Sequence, residues 1–233
     1  MLASFKAVFF DAGGTLLHPY PSVGEIYFEV ASRYGCRTPA GVLESKFRDA
    51  WLKRDGIGNL ASHSNEKVER DWWKNLVFEV FSETLPGQNF EKFFAELYDL
   101  FAQPQVWRLY PGVHELLENL KNQKKRLAII SNWDSRLFKI CAGLDIEKYF
   151  DFILASAVFG ASKPSPLIFQ EALRRTGVLP HEAVHIGDSL ADDIHGAHQV
   201  GIHAIHIDRH PDVPKDLHLK HHRIHQLNEL LSA

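Results

Sequence analysis

Lys6-Ala7-Val8-Phe9-Phe10-Asp11-Ala12-Gly13-Gly14-Thr15-Leu16-Leu17 is the stretch whose reading decides the fold. An apolar run of β-branched and aromatic residues stops at a carboxylate, and two glycines and a threonine follow. Such a run, bounded by turn formers, describes a strand buried on both faces, as strands of parallel sheets are. Asp11 then falls at the carboxyl end of that strand, where open α/β sheets bind their ligands. Taken alone, the stretch is as compatible with a plain strand ending in an Asx turn. What decides between the two is whether distant segments supply the partners Asp11 would need.

The alternation of strand and helix continues after Tyr110-Pro111-Gly112. Leu116, Leu117 and Leu120 mark a helix over 113–122, and Arg126 to Asn132 is a second strand ending in polar residues. A helix over 135–143, a third strand over 152–156 and a helix over 164–176 follow, the last opening on Pro164 in a first turn that tolerates proline. Ala183 to Asp188 is a fourth strand, again ending in a carboxylate; 191–200 is a helix that Gly201 closes, and 203–207 is a fifth strand. A short strand near Ile224 and a helix over 227–231 end the pattern. Strands alternating with helices predict a Rossmann-like, doubly wound parallel sheet.

Between these parts the character changes. After a proline-punctuated exit, Leu17-His18-Pro19-Tyr20-Pro21, no buried strand is evident up to about Gln103. Helical apolar spacing predicts four helices: one through Ile26, Val30 and Tyr34, one over 39–54, one opened by Ser64, and one over 90–101. Gly56-Ile57-Gly58-Asn59 and Pro86-Gly87 separate them. The domain division expected is therefore a Rossmann-like core over 1–18 and 106–233, with an all-helical cap over 19–105. The many cap aromatics are expected to be core, with Trp72-Trp73 a possible pocket wall.

Composition constrains the function. A net charge of −3 over 233 residues is weak, so neither nucleic acid nor a membrane is expected as the main partner. Two cysteines, Cys36 and Cys141, do not make a disulfide framework. The N-terminal apolar run is too short for a signal peptide, so a cytoplasmic protein is expected. A monomer, or a weak homodimer, is the expected state. His195 and His198, three apart on a helix, have a spacing that can bind metal, and His218, His221, His222 and His225 cluster in the tail; all are read as solvated or partly buried histidines rather than a metal site.

Four strand ends thus bring polar groups to one sheet edge: Asp11; Ser131 with Asn132; Lys163; and Asp188 with Asp192 and Asp193. Each has an innocent reading as a cap, a turn or a surface lysine. Together they make one chemistry. A carboxylate nucleophile can accept a phosphoryl group, a second carboxylate can hold Mg²⁺, a hydroxyl can donate to the transferring group, and a lysine can balance charge.

On these residues the chain resembles the haloacid dehalogenase superfamily: Asp11-Ala12-Gly13-Gly14-Thr15-Leu16, Ser131-Asn132, Lys163-Pro164 and Gly187-Asp188-Ser189-Leu190-Ala191-Asp192-Asp193. The run Ser131-Asn132-Trp133-Asp134-Ser135-Arg136-Leu137 narrows the resemblance to one branch of it. The resemblance implies Asp11 as nucleophile, with Ser131, Asn132 and Lys163 in the catalytic set. It implies Mg²⁺ on Asp11, Asp188 and the Gly13 backbone carbonyl, with Asp193 supporting the metal or Lys163. Thr15, Asn132 and Trp133 are the substrate-binding candidates, and the substrate expected is a small phosphorylated metabolite.

One departure matters. In phosphatases of the superfamily the residue two after the nucleophile is a second Asp, which moves protons; here it is Gly13. Losing a positioned general acid–base costs roughly 10²–10⁴-fold in rate. Three readings follow. The first is a Mg²⁺-dependent phosphatase in which water or a good leaving group covers for Gly13. The second is a 2-haloacid dehalogenase, whose halide needs no proton but whose relatives work without metal and usually replace the Asp188 position. The third is a non-catalytic binding protein on the same fold.

Overall fold

The computed structural model describes residues 2–54, 57, 60, 63–85, 89–209 and 222–231. The breaks expected at Gly56, Gly58, Asn59, Pro86 and Gly87, and the histidines 218 and 221, lie outside the described residues.

In chain order, β1 is Ala7–Phe10 and β2 is Leu17–Pro19. Helices α1 (Val23–Ser32), α2 (Ala40–Arg54), α3 (Glu66–Phe81) and α4 (Phe90–Leu100) follow. Then come β3 (Trp107–Leu109), α5 (Val113–Asn122), β4 (Arg126–Ser131), α6 (Arg136–Gly143), β5 (Phe152–Ala155) and a one-turn α7 (Ser156–Phe159). The chain continues through α8 (Pro166–Thr176), β6 (Ala183–Gly187), α9 (Gly196–Gln199), β7 (His203–Ile207) and β8 (His222–Ile224).

Six strands form one sheet in the order β5-β4-β1-β6-β7-β8. Every pairing within it is parallel. β1 is central and all four of its residues are buried. Its side chains alternate between two cores, as the two-residue period of a strand requires. Val8 and Phe10 join Leu116, Leu117, Leu120, Leu137 and Ile140 on one face. Ala7 and Phe9 join Ile168, Phe169, Ala172 and Ala197 on the other. The helices that sheathe a parallel sheet thus explain why β1 reads as a continuous apolar run. From β1 the chain builds outward to β4 and β5 on one side, and later to β6, β7 and β8 on the other. The carboxyl ends of β4, β1 and β6 therefore meet at the point where winding reverses, the ligand-binding edge of this architecture.

The structure differs from the sequence reading at several boundaries. Leu17–Pro19 and Trp107–Leu109 are not plain exits but an antiparallel ribbon, with Leu17 opposite Leu109 and Pro19 opposite Trp107. It is the two-stranded stalk from which α1–α4 depart and to which they return. Helix α3 is capped by Asn65, whose side chain accepts from Lys67 N and Val68 N. The opener expected at Ser64 is instead buried, its hydroxyl turned to Glu69. Helix α8 starts at Pro166 with Ser165 as cap, not at Pro164, which follows a cis peptide bond. After β6 the expected single helix is a π-helix, Leu190–His195, continued by α9. The expected terminal helix is a 3₁₀ turn, Leu227–Leu230.

The four helices share an aromatic interior: Phe81 and Phe93 meet at 4.7 Å, Tyr27 and Phe81 at 5.5 Å. Among the described residues no helix is long and apolar enough to cross a membrane. Cys36 and Cys141 are free and buried.

Candidate active site

Asp11 is the first residue after β1 and is buried, 7% exposed. Its backbone N–H still follows the ladder to Ile186 O at 2.9 Å, so its position is fixed by the sheet itself. Two donors converge on Asp11 Oδ1: Ser131 Oγ, from the end of β4, at 2.9 Å, and Lys163 Nζ at 2.6 Å. Lys163 is 2% exposed and its ammonium also reaches Asp193 Oδ1 at 2.6 Å. Asn132 orients it from outside. The Asn132 side chain accepts from Lys163 N at 2.7 Å and donates to Lys163 O at 2.9 Å, so both main-chain groups of the lysine are held.

Asp193 lies on the π-helix, a turn type that recurs at functional sites because it displaces side chains from the regular spiral. Both of its oxygens are engaged. Besides Lys163, Oδ1 meets His185 Nε2 at 2.7 Å and Oδ2 accepts from Ser189 N at 3.0 Å. A side chain on Gly187 would collide with the Asp193 carboxylate, so glycine is needed where β6 ends. Asp188 is different: it stands open to a cavity. Gly14, at φ 77°, passes so close to it that a Cβ there would strike the carboxylate.

One carboxylate oxygen from each of Asp11, Asp188 and Asp193 lies within 4.8 Å of the other two. The electrostatics follow from that crowding. Burial, and the charge of Asp193, raise the Asp11 carboxyl in spite of Lys163. Asp188 opens to the cavity yet sits among these groups; desolvation by them, and the charges of Asp11 and Asp193, raise it well above the usual carboxylate range. Burial also works against ionisation of Asp193, but Lys163 and His185 outweigh it and hold this carboxyl below its ordinary value. For Lys163, burial alone would favour the neutral amine; Asp11 and Asp193 overcome it and raise the ammonium above its usual range. Burial lowers His185 against the pull of Asp193. The ring is therefore neutral, donates through Nε2, and leaves Nδ1 bare and unpartnered. Three carboxylates thus face one ammonium.

The cavity holds about 440 Å³. Asp11, Gly13, Ser131, Asn132, Trp133, Lys163, Asp188 and Asp193 line one end. Helices α1–α4 and the stalk line the rest. Thr15, named above as a substrate contact, is not among the lining residues. It is fully buried behind the nucleophile loop, where its carbonyl accepts from Arg209 Nη2 at 2.7 Å. Trp73 lines this cavity, whereas Trp72 faces a separate surface groove. The aromatic interior of α1–α4 is therefore part core and part pocket wall.

A matching family model, described as haloacid dehalogenase-like hydrolase, spans residues 5–201. The chain belongs to this family. Haloacid dehalogenase-like hydrolase domain-containing protein 3 of Xenopus laevis is 32% identical over 216 residues, covering 92% of this chain and 88% of the relative. A solved structure described as a dehalogenase has a TM-score of 0.75 at 23% identity, covering 98% of this chain and 96% of that one. A HAD phosphatase from Thermococcus onnurineus has a TM-score of 0.68 at 26% identity, covering 98% and 97%.

Within this hydrolase frame, several site residues escape a reading by strand ends. His185 lies inside β6 and braces Asp193 from below; a lone imidazole in an otherwise apolar strand was the available signal. Beyond Trp133 the β4 loop grips the helices above it. Asp134 is fully buried, accepts from Tyr98 Oη of α4 at 2.7 Å and is clamped by Arg136, Nη2 at 2.7 Å. Ser135 N donates to Glu66 Oε1 of α3 at 2.9 Å. Glu69, one turn along α3, accepts from Ser64 Oγ and from Ser156 Oγ at the start of α7. Ser156 Oγ in turn accepts from Trp133 N at 2.9 Å. No spacing rule joins partners 87 residues apart, as Glu69 and Ser156 are.

Proposed function

We propose that this hydrolase is a Mg²⁺-dependent phosphatase of small phosphorylated metabolites that works through Asp11. The observation carrying the reading is the charge balance: Asp11, Asp188 and Asp193 converge, and among the described residues Lys163 is the one lysine or arginine ion-paired with them, Arg209 acting on Asp188 only through space. Uncompensated charge of that size is costly in a cleft, and a divalent cation with oxygen preference answers it. Both oxygens of Asp193 are already engaged, by Lys163, His185 and Ser189, which favours Asp11 and Asp188, with the carbonyl of Gly13 beside them, to hold Mg²⁺. When bound, the ion supplies positive charge that keeps both carboxylates ionised and that offsets charge on a transferring phosphoryl group.

The chain's own residues have separable tasks. Asp11 uses the oxygen not engaged by Ser131 and Lys163 as nucleophile, forming an aspartyl-phosphate. Ser131 and Lys163 fix the rotamer of Asp11; Lys163 keeps a third N–H for a phosphoryl oxygen, whereas Ser131 donates to one only by turning its single O–H away from Asp11. Asn132 fixes the lysine, and Asp193 with His185 sets its second partner. Trp133 closes one wall against water.

Gly13 favours a second reading, a halide displacement, because halide leaves without a proton. Against it stands Asp188, a carboxylate with no task in a metal-free displacement. The deciding experiment is phosphate release from a small-phosphate panel with Mg²⁺, beside halide release from 2-chloropropionate without metal, each against Asp11→Asn. Phosphate release needing both Mg²⁺ and Asp11 is expected. Metal-free halide release overturns the proposal, and silence on both, with Mg²⁺ still raising thermal stability, makes this a binding protein.

A further inference from the structure

The cavity beyond the carboxylates has a distinct chemistry. Phe47, Trp51, Trp73, Phe101, Trp107 and Trp133 line it. Trp51 stacks on Trp73 with centroids 5.6 Å apart, and Trp107 meets Trp133 at 5.0 Å. Its polar groups are occupied. Arg136 is clamped on Asp134 and stacked 3.5 Å over Tyr98, the Tyr98 hydroxyl donates to Asp134, and Trp107 Nε1 donates to Phe101 O at 3.0 Å. Among the described lining residues no cation is free to take a second phosphate or a carboxylate. Nor, among the described residues, is there a cluster of hydroxyls and amides in that part to match a sugar. A volume of about 440 Å³ lies within the range of small-molecule sites.

A second, independent observation concerns the leaving group. A Cβ built on Gly13 would lie 3.1 Å from Trp133 Cζ3. The place of a proton donor at this position is therefore faced by indole, not by a group that could replace it. A leaving oxygen here departs carrying its charge until water protonates it. Phenols, with pKa near 10 as in tyrosine, bear that charge far better than alcohols.

Taking Asp11 as a phosphoryl-accepting nucleophile, we propose that the substrate is an aryl phosphate monoester, one phosphoryl group on an aromatic oxygen, with its ring held in the Trp51–Trp73 chamber. An Asp11 carboxylate oxygen forms a bond to phosphorus while the phosphorus–aryl oxygen bond breaks. The aryl oxide leaves with the bonding pair and takes a proton from water. A second water then attacks phosphorus and breaks the bond to the Asp11 oxygen; the proton it gives up neutralises the hydroxide left by the first, the Asp11 carboxylate is returned and inorganic phosphate is released.

The test uses the full chain with Mg²⁺ and three substrates: acetyl phosphate, which needs neither a ring nor a proton donor, phenyl phosphate and benzyl phosphate. Phenyl phosphate should exceed benzyl phosphate in kcat/KM by about 10²-fold or more, the scale of a missing general acid. Phenylphosphonate, which cannot be hydrolysed, should inhibit acetyl phosphate turnover about tenfold to a hundredfold more tightly than methylphosphonate, since only the first buries a ring. Trp51→Leu should shrink that ratio. Equal inhibition by the two phosphonates, or benzyl phosphate turned over as fast as phenyl phosphate, overturns the aryl proposal while Asp11-dependent acetyl phosphate turnover leaves the phosphatase reading standing. No Asp11-dependent phosphate release from any of the three overturns both.

Discussion

Glu69→Gln should change how stability depends on pH. Glu69 is fully buried between α3 and α7, with Ser64 and Ser156 donating to one oxygen and the other oxygen unpartnered. Burial, with Asp134 and Glu66 nearby, outweighs the two hydroxyls and raises its carboxyl from 4.5 to about 7. The folded state therefore holds this proton more tightly than the unfolded chain does. Below about pH 4.5 the group is protonated in both states and costs nothing. As pH rises through the folded value near 7, the fold must either ionise a buried carboxyl or unfold, so stability falls and levels off above it. At about 1.4 kcal/mol for each tenfold difference in proton affinity, the loss approaches about 3 kcal/mol. Glutamine keeps the acceptor for both serines and removes the ionisation. The amide's own burial shifts stability equally at every pH, so the informative quantity is the difference between variant and wild type across pH. Urea denaturation at pH 5, 6, 7 and 8 should show that difference moving in the variant's favour by about 2–3 kcal/mol. Parallel curves, with a gap independent of pH, would refute the reasoning.

Other predictions concern the carboxylate cluster. Lys163→Met leaves Asp11 and Asp193 without their shared counter-charge; removing one partner of a buried pair costs about 3–5 kcal/mol. In metal-free protein that should lower Tm by roughly 6–20 °C, at about 2–4 °C per kcal/mol, read by calorimetry. Mg²⁺ at a hundredfold excess over Kd should stabilise the wild type by about 2.7 kcal/mol, and Asp188→Asn should abolish the shift in a thermal melt. Gly13→Asp crowds Trp133 and should cost about 1–3 kcal/mol as overpacking does. It should not restore turnover of alkyl phosphates unless Trp133 is also made smaller, which steady-state kinetics on the single and double variants would decide.

The parallel core was legible because burial on both faces writes itself as apolar runs: β1 and β4 are visible as such, and β6 and β7 as runs broken only by histidines. Helix α5 was legible to the residue through its leucine spacing. The β2–β3 ribbon was not, because three-residue strands show no periodicity and one of them ends in Pro19. The π-helix was invisible for a related reason: no local spacing marks it, and the Asp193 contacts that accompany it, to Lys163 and His185, are tertiary. In the site, strand-end carboxylates, Ser131 and Lys163 announced themselves by position, and the structure brings them within hydrogen-bond reach. His185, Asp134 and Glu69 did not, since each is defined by a partner that only folding supplies.

The segment from Ser131 to Arg136 faces two ways. Its first two residues grip Asp11 and the backbone of Lys163, and its last four grip α3, α4 and α7. No slack separates the two sets of attachments. The segment is in effect a ruler of fixed length, which tolerates changes of side chain more readily than changes in residue count. A single inserted residue would shift either the hydroxyl that steadies the nucleophile or the anchor that sets the roof above it. Along lineages descended from such a chain, side chains in the aromatic chamber are free to drift toward new substrates. Gaps in this six-residue span should be the rarest kind of change.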